Sequence, residues 1–281
     1  MATLPAETRM GPVELTVSDL GQSLDYYRNA IGLSVLDQAG GRASLGADGT
    51  ELLVLDELPG ARPAPSHTGL FHFALLVPER RELARWLAHA IRERVPMTGV
   101  SDHNVSEALY LRDPDQHGIE IYADRPRHLW EGRIGELMTT KPLDLQNLLG
   151  ELEDPDTESF EGLPAGTTMG HVHLQVAAIA ETIEFYRDVL GFDLVADLGG
   201  SAAFLSAGGY HHHIGANVWN SAGASPPPPG AAALRRTTIH LTDADARAAV
   251  VGRVTGAGQE AEETPDGPVV RDPSGNSLLL A

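Results

Sequence analysis

One stretch of sequence occurs twice in this chain. Residues 13–36 read VELTVSDLGQSLDYYRNAIGLSVL, and residues 172–195 read VHLQVAAIAETIEFYRDVLGFDLV. In both copies a short alternating strand is followed by an amphipathic helix that ends in Tyr-Arg-x-x-(Ile/Leu)-Gly, and a second strand comes after the helix. Self-similarity over so long a period is the signature of a duplicated architecture. The fold is therefore expected to be one that a repeated unit can build.

The two copies differ immediately before their first strand. His171 precedes the first strand residue of the second copy, whereas Pro12 stands at this place in the first copy. An imidazole that only one copy keeps is not required by the repeated fold. The difference therefore predicts a functional site in the second copy.

Composition and charge limit the classes of partner. The 281-residue chain has a formal net charge of -19, so a basic surface for nucleic acid or for an anionic membrane is not expected. The absence of cysteine excludes disulfides and thiolate chemistry. Residues 1–12 lack the apolar core of a signal peptide, and no apolar run has the length of a membrane helix. We therefore expect a cytoplasmic protein without a nucleic-acid or membrane partner, and a homo-oligomer is compatible with the sequence.

Strand and helix patterns divide the chain into four modules, each of which reads strand–helix–strand–strand–strand. Two modules form a first predicted domain and two form a second, and the connector between them contains two short candidate helices and an acidic stretch. The predicted boundaries are 9–126 for the first domain (modules 11–57 and 70–124), 127–168 for the connector, and 169–281 for the second domain (modules 169–219 and 235–281).

The second and fourth modules end alike, with LRDPDQHGIEIYA and VRDPSGNSLLLA, so that an Asp-Pro turn recurs at Asp113-Pro114 and at Asp272-Pro273. A single module would leave an open sheet with exposed edges, so the modules have to pair in order to bury a face. Paired curved sheets create clefts lined by alternate residues of each strand. The sequence thus predicts an α+β fold of four paired βαβββ modules.

These features resemble the vicinal oxygen chelate superfamily, which includes glyoxalase I and the type I extradiol ring-cleaving dioxygenases. The repeated phrase resembles the family's strand–Asp-Leu-x-x-(Ser/Ala)-x-x-Phe-Tyr-x-x-x-Leu-Gly. The passages GLFHFALLVPERREL, SEALYLRDPDQHGIEIYADRP, MGHVHLQV and FLSAGGYHHHIGANVWN look most like the catechol 2,3-dioxygenase branch. The resemblance covers nearly the whole chain and implies that the four modules form two half-open barrels, one of which holds a metal.

The resemblance implies a mononuclear iron(II) held by two His and one carboxylate, which leaves three positions open for a catecholate and O₂. In the family one His opens a module, a second His opens the partner module, and the carboxylate lies on the last strand of that partner. The positions that open the four modules are Pro12, His72, His171, and Arg236 or Thr237. The last-strand positions of the second and fourth modules are Glu120 and Leu279. The one complete set is His72, Glu120 and His171. It requires a crossed pairing, of the first module with the fourth and of the second with the third; neighbouring pairs would give incomplete sets.

Each member of this set also has a purely structural interpretation. His72 lies among apolar residues and would then be a core histidine. Glu120 lies between two isoleucines and would then face solvent from an alternating strand. Burial of Glu120 without a partner would be costly, so burial would favour a metal or a hydrogen-bonding role. His173 points to the same strand face as His171 and is a competing ligand, although the family's ligand position corresponds to His171.

The resemblance also implies catalytic residues. Extradiol enzymes carry a Tyr ahead of the ligand Glu, and Tyr110 precedes Glu120 by the matching ten residues. They also carry an active-site His in the last strand of the module with the first His ligand, and the pattern His-x-(Ile/Leu/Val)-(Gly/Ala) fits His212. His211 and His213 are then expected on the other face of that strand.

A further active-site His precedes the Tyr in the family, and His103 is the candidate for it, with a shorter spacing than the family's. By this resemblance His212 would act as general base and then as general acid, and Tyr110 would hydrogen-bond a substrate oxygen. The implied partners are a small aromatic diol and O₂, and the implied product is a ring-opened semialdehyde. Iron(II) is the implied cofactor, and manganese(II) is compatible with the same ligand types.

Two other functions are compatible with the same fold. A glyoxalase-type isomerase or lyase would need a second carboxylate, which Glu14 or Glu51 would have to supply. A small-molecule-binding resistance protein would keep the fold without a metal triad, and it would line its cleft with aromatic side chains, which make up 5% of this chain.

Overall fold

The computed structural model describes residues 3–281. Its strands are β1 Arg9–Val17, β2 Ser34–Ala39, β3 Arg42–Ala47, β4 Thr50–Glu57, β5 Arg62–Pro63, β6 Gly69–Leu76, β7 Gly99–Asp102, β8 Ser106–Arg112, β9 Gly118–Asp124, β10 Thr168–Gln175, β11 Asp193–Asp197, β12 Ala202–Ser206, β13 Ile214–Asn217, β14 Ala231–Ala232, β15 Leu234–His240, β16 Ala261–Thr264, β17 Gly267–Arg271 and β18 Ser277–Leu280. Its helices are α1 Leu20–Tyr26, α2 Arg80–Glu93, α3 Ile134–Leu137, α4 Leu145–Leu149, α5 Ile179–Ile183 and α6 Ala244–Gly256, with π-helical turns at Tyr27–Ile31 and Glu184–Leu190 and a 3₁₀ turn at Arg127–Leu129. Among these described helices none is long and apolar enough to cross a membrane.

Within residues 3–281 the strands form two eight-stranded sheets and a short β5–β14 pair. The first sheet has the order β16-β17-β18-β15-β1-β4-β3-β2, and the second has the order β11-β12-β13-β10-β6-β9-β8-β7. Antiparallel pairing of β1 with β15 joins the first and fourth modules, and antiparallel pairing of β6 with β10 joins the second and third. Each sheet therefore combines modules from opposite halves of the chain, in the crossed order that the complete ligand set requires.

The second sheet curls around a cavity. Ser101 of β7 and Tyr110 of β8 lie near one edge of this sheet, and Ala196 of β11 and Phe204 of β12 lie near the other edge. All four residues line the same cavity. Strands at opposite edges can line one cavity only when the sheet bends towards closure. The predicted α+β class with duplicated modules is confirmed.

The glycine that ends each copy of the repeated phrase has a conformational reason. Gly32 has φ 92° and Gly191 has φ 98°, which is the left-handed region that an L side chain enters only at a cost. The Gly32 N–H donates to the carbonyl of Tyr27, and the Gly191 N–H donates to the carbonyl of Tyr186. Glycine therefore ends the π-helical turn in both copies and redirects the chain into the following strand.

The tyrosine of each copy ties two modules together. The Tyr27 hydroxyl donates to Asp113 Oδ2 at 2.8 Å, and the Tyr186 hydroxyl donates to Asp272 Oδ2 at 3.2 Å. Both aspartates belong to the Asp-Pro turns, so the first module is fixed to the second and the third to the fourth, across the two sheets. Burial and then the charge of Asp113 raise the pKa of Tyr27 well above its ordinary value, so its hydroxyl remains a donor.

Loss of one of these ties should lower stability. We expect Tyr27→Phe to reduce the free energy of unfolding by about 1–3 kcal/mol, because the buried Asp113 loses a hydrogen-bond donor. Tyr26→Phe is the matched control, since the Tyr26 hydroxyl oxygen is buried without a hydrogen-bond partner among residues 3–281. Urea unfolding of both variants measures the difference, and an equal loss in the two would contradict this role of Tyr27.

Candidate metal centre

Three strands of the second sheet bring together two imidazoles and a carboxylate. His72 lies in β6, Glu120 in β9 and His171 in β10, and these strands are adjacent in the order β10-β6-β9. Glu120 Oε2 lies 3.0 Å from His72 Nε2 and 3.2 Å from His171 Nε2, and the two Nε2 atoms are 3.3 Å apart. All three side chains are buried. Within residues 3–281 this set, called the triad below, is the one group of His, Asp and Glu with the geometry to hold a metal ion.

The charge states of the triad suit metal binding. Burial by itself would raise the pKa of the Glu120 carboxyl, but the charges and hydrogen bonds of His171 and His72 hold it well below its ordinary value. Burial lowers the pKa of His171 to about 4, against the opposing effect of Glu120. An ionised carboxylate and a neutral imidazole are the forms in which these groups bind metals. Two imidazole nitrogens and one carboxylate fit iron(II), and manganese(II) accepts the same ligand types.

The strand register decides which histidine of β10 joins the triad. His173 lies directly opposite His72 in the antiparallel register, yet the ligand atom that meets Glu120 belongs to His171. The ladder is irregular immediately before His171 and immediately after His173. Such irregularities re-aim side chains relative to a regular strand. The geometry therefore groups His171, and not His173, with the other two residues.

His173 lies instead against the aromatic wall of the cavity. Its ring centroid is 5.2 Å from that of Phe71 and 5.6 Å from that of Trp219. Gly215 leaves room for it, because a Cβ at this position would lie 2.9 Å from the imidazole. Burial and then the positive charges of neighbouring histidines lower the pKa of His173 well below its ordinary value, so the ring packs there as a neutral group.

The ten-residue spacing between Tyr110 and Glu120 is the consequence of a hairpin. β8 and β9 are antiparallel, and Tyr110 and Glu120 are direct partners in their register. Cross-strand partners point to the same face, so the phenol lies beside the triad. Burial and then the charge of Glu120 raise the pKa of Tyr110 well above its ordinary value, and the phenol therefore stays neutral.

His103 contacts the same tyrosine. Its Nδ1 lies 2.7 Å from the carbonyl oxygen of Thr139, and since that oxygen only accepts, Nδ1 carries the proton. Its Nε2 lies 2.8 Å from the Tyr110 oxygen and is the acceptor in a neutral imidazole, so the Tyr110 hydroxyl donates to it. The lone pairs of the Tyr110 oxygen are then available to another donor.

His212 lies beside the triad, with its ring centroid 4.0 Å from that of His171. Burial and then the charges of His171 and His211 lower the pKa of His212 well below its ordinary value. β13 begins at Ile214, but His213 is already paired like a strand residue, since its N–H donates to the Leu205 carbonyl and its carbonyl accepts from the Val172 N–H. His212 lines the cavity, whereas His211 and His213 do not. His211 turns towards its neighbour, and the Nδ1 atoms of His211 and His212 are 2.9 Å apart.

A cavity of about 420 Å³ opens onto the triad. Its wall includes His103, Tyr110 and His212. It also includes residues to which no role had been assigned, namely Phe71, Met138, Thr139, Thr140, Leu198, Phe204 and Trp219. Among the described residues that line it, Glu120 is the one carboxylate and Arg112 is the one Lys or Arg side chain. The connector thus contributes part of the cavity wall, a role that its irregular sequence does not indicate.

The first sheet offers no second carboxylate to the triad. Pro12 and Leu279 have no ligand atom, and Arg236 Nε donates to Glu14 Oε1 at 2.5 Å. Glu14 is therefore engaged in the other sheet, and Glu51 is exposed on β4. Neither side chain lines the cavity, so the second carboxylate that an isomerase would need does not come from the two candidate residues.

Comparison with known proteins agrees with this geometry. The family model of the Glyoxalase/Bleomycin resistance protein/Dioxygenase superfamily matches residues 9–121 and again residues 168–280. The chain therefore belongs to this superfamily, and the resemblance expected from its sequence motifs is confirmed. The duplicated match also agrees with the repeated phrase.

Individual relatives narrow the class of enzyme. The chain is 46% identical over 285 residues to the catechol-2,3-dioxygenase of Bacillus subtilis (strain 168), with 99% of each protein covered. It is 26% identical over 155 residues to a putative ring-cleaving dioxygenase of the same strain, over 51% of this chain and 49% of that relative. The protein is thus a catechol-2,3-dioxygenase-like oxidoreductase.

Solved structures of low sequence identity share the fold. A putative dioxygenase from Bacillus subtilis matches with a TM-score of 0.65 at 16% identity, covering 100% of this chain and 86% of the other. Glyoxalase I from Zea mays matches with a TM-score of 0.59 at 17% identity, covering 98% of this chain and 92% of the other. Because both a dioxygenase-type and a glyoxalase-type protein share this architecture, the fold does not decide the chemistry.

Proposed function

We propose that the protein is an extradiol ring-cleaving dioxygenase, which inserts O₂ into a catechol-type aromatic diol at a mononuclear iron(II) held by His72, Glu120 and His171. The observation that carries this proposal is the convergence of two imidazoles and a buried carboxylate on the wall of a cavity large enough for an aromatic ligand. Whole-length similarity to a catechol-2,3-dioxygenase supports it. Manganese(II) is the alternative metal, since the ligand types suit both.

Iron(II) in such a set would supply open coordination positions for the two diol oxygens and for O₂. The surrounding side chains would accept, return and hydrogen-bond the protons of the diol. His212 would take a proton from the diol at Nε2 and later return it as a general acid. The Tyr110 oxygen, whose own hydroxyl donates to His103, would accept a hydrogen bond from a substrate hydroxyl. The apolar cavity wall would keep bulk water away from these steps.

The cavity favours a diol that carries an uncharged apolar substituent. About 420 Å³ lies in the range of drug-sized ligands and is more than a single-ring diol fills. Beyond the triad the wall consists largely of apolar groups, among them Phe71, Phe204 and Trp219. Arg112 is exposed, and its Nη1 donates to the carbonyl of Gln116 at 2.7 Å. A carboxylate on the substrate would therefore meet no buried cation along the described wall.

Oxygen consumption tests the proposed reaction. Anaerobically iron(II)-loaded protein should consume O₂ and form a yellow ring-fission product when catechol, 3-methylcatechol or a biaryl diol is added, and His171→Ala should abolish both. Nickel- or zinc-dependent isomerase turnover without O₂ uptake would contradict ring cleavage. Stoichiometric iron without uptake on any diol would also contradict it and would leave the triad as a metal site with other chemistry.

Two histidines of the same strand provide a matched test of the ligand set. We expect His171→Ala to weaken iron(II) binding by more than about 100-fold, because even partners outside the ligand set contribute 10–100-fold at metal sites. His173→Ala should retain the iron, because its imidazole lies outside the triad. Metal content and competition with a chelator measure both variants. Iron loss in His173→Ala with retention in His171→Ala would reverse the assignment.

Trp219 should decide how well large substrates are used. It is 53% exposed at the cavity wall, so Trp219→Ala should lower kcat/KM for a biaryl diol by about 10-fold or more, in keeping with the 1.5–3 kcal/mol that burial of a large apolar group contributes. Catechol itself should be affected much less. Ile91→Ala is the control, because Ile91 is also 53% exposed but lies on α2, away from the cavity. A uniform loss for both substrates would exclude this role.

A further inference from the structure

A chain of hydrogen bonds leads from His212 to a carboxylate that the proposed reaction does not use. His212 Nδ1 lies 2.9 Å from His211 Nδ1, and His211 Nε2 lies 2.8 Å from Asp124 Oδ1. Asp124 ends β9, the strand that carries Glu120, and residues four apart in a strand share a face. One strand therefore supplies both a member of the triad and the carboxylate at the end of this series of hydrogen bonds.

For neutral imidazoles the two contacts determine which nitrogen atoms carry the protons. A carboxylate only accepts, so His211 Nε2 carries a proton, and in a neutral imidazole the other nitrogen is then an acceptor. His211 Nδ1 thus accepts a hydrogen bond from the N–H of His212 Nδ1. The lone pair of His212 is left at Nε2, which has no hydrogen bond within residues 3–281, and the ring lines the cavity.

The residues around His211 shield its hydrogen bonds from water. His211 is completely buried, and the rings of Trp130 and Tyr210 lie against it with centroid distances of 5.7 and 4.0 Å. The Tyr210 and Tyr122 hydroxyls form their own hydrogen bond of 2.7 Å and do not compete for His211. A water molecule therefore has no easy access to the contact between the two imidazoles.

We propose that Asp124 and His211 are positioning residues that hold His212 in the Nδ1–H tautomer, with its Nε2 lone pair directed into the cavity as the proton acceptor. The consequence for turnover rests on the proposed function, whereas the tautomer itself does not. The opposite tautomer would present an N–H to the diol and could not take its proton. An orienting aspartate has the same task in the Ser-His-Asp triad, where it acts on the catalytic imidazole directly rather than through a second one.

Replacement of Asp124 by an amide should reverse the direction of the hydrogen bonds that connect it through His211 to His212. The amide N–H of Asp124→Asn would donate to His211 Nε2, so His211 Nδ1 would carry the proton and His212 would be left with an Nε2–H. We expect kcat to fall by about 100-fold or more, the usual contribution of a general base, with KM and iron content close to wild type. Asp124→Glu should restore most of the turnover.

A nearby surface carboxylate serves as the control for these variants. Glu131 is bound to Arg127 and its side chain is 58% exposed, so Glu131→Gln removes a charge from the same region without touching His211. Its kcat should equal that of the wild type. An equal fall of kcat in Glu131→Gln and Asp124→Asn would assign the effect to surface charge and overturn the positioning role.

Nitrogen NMR tests the tautomer without turnover. In ¹⁵N-histidine-labelled protein, metal-free and zinc(II)-loaded, the His212 signals are identified by their loss in His212→Gln. They should report a protonated Nδ1 and an unprotonated Nε2 in the wild type, and the reverse in Asp124→Asn. A protonated Nε2 in the wild type would overturn the proposal, and so would an unchanged tautomer in Asp124→Asn. If no diol is cleaved, the proposed reaction fails, and the NMR measurement still decides the tautomer.

Discussion

The site depends on the antiparallel pairing of β6 with β10. These strands come from opposite halves of the chain, and their ladder brings His72 within 3.3 Å of His171, a residue 99 positions away. β9 lies parallel to β6 on its other side and adds Glu120. A shift of β10 by one residue would turn His171 to the face of the sheet opposite His72 and Glu120. The register of a single strand pair therefore decides whether the triad forms.

Features with a regular local pattern were predictable from the sequence. The repeated phrase and the Asp-Pro turns indicated four modules. In the structure the tyrosine of each phrase contacts the aspartate of one turn, Tyr27 with Asp113 and Tyr186 with Asp272. The spacing of Tyr110 and Glu120 is that of a hairpin, and alternation places hairpin partners on one face. The crossed order of the modules followed from the one complete ligand set rather than from the strand patterns themselves, since a strand pattern does not specify a distant partner.

Features in irregular segments were not predictable. Thr139 orients His103 from an irregular part of the connector, and Trp219 follows β13 in a passage whose resemblance to the dioxygenase branch did not assign it a role. The contact between His211 and His212 was not predicted either, because His211 and His212 precede β13. Periodicity determines side-chain direction only where a regular ladder restricts the backbone, so loop contacts have to be seen in three dimensions.

The two sheets differ in how they compensate a buried carboxylate. In the first sheet Glu14 and Arg236 are cross-strand partners and form an ion pair, so a side chain of the protein neutralises that buried carboxylate. In the second sheet Glu120 is more deeply buried and has no Lys or Arg partner among residues 3–281. An uncompensated buried carboxylate is costly, and burial lowers the pKa of His171, which makes its imidazole a weak counter-charge. Since the same fold is built with an ion pair in one sheet, the stability of the fold does not explain the triad, and a buried carboxylate without a Lys or Arg partner is what the proposed metal site requires.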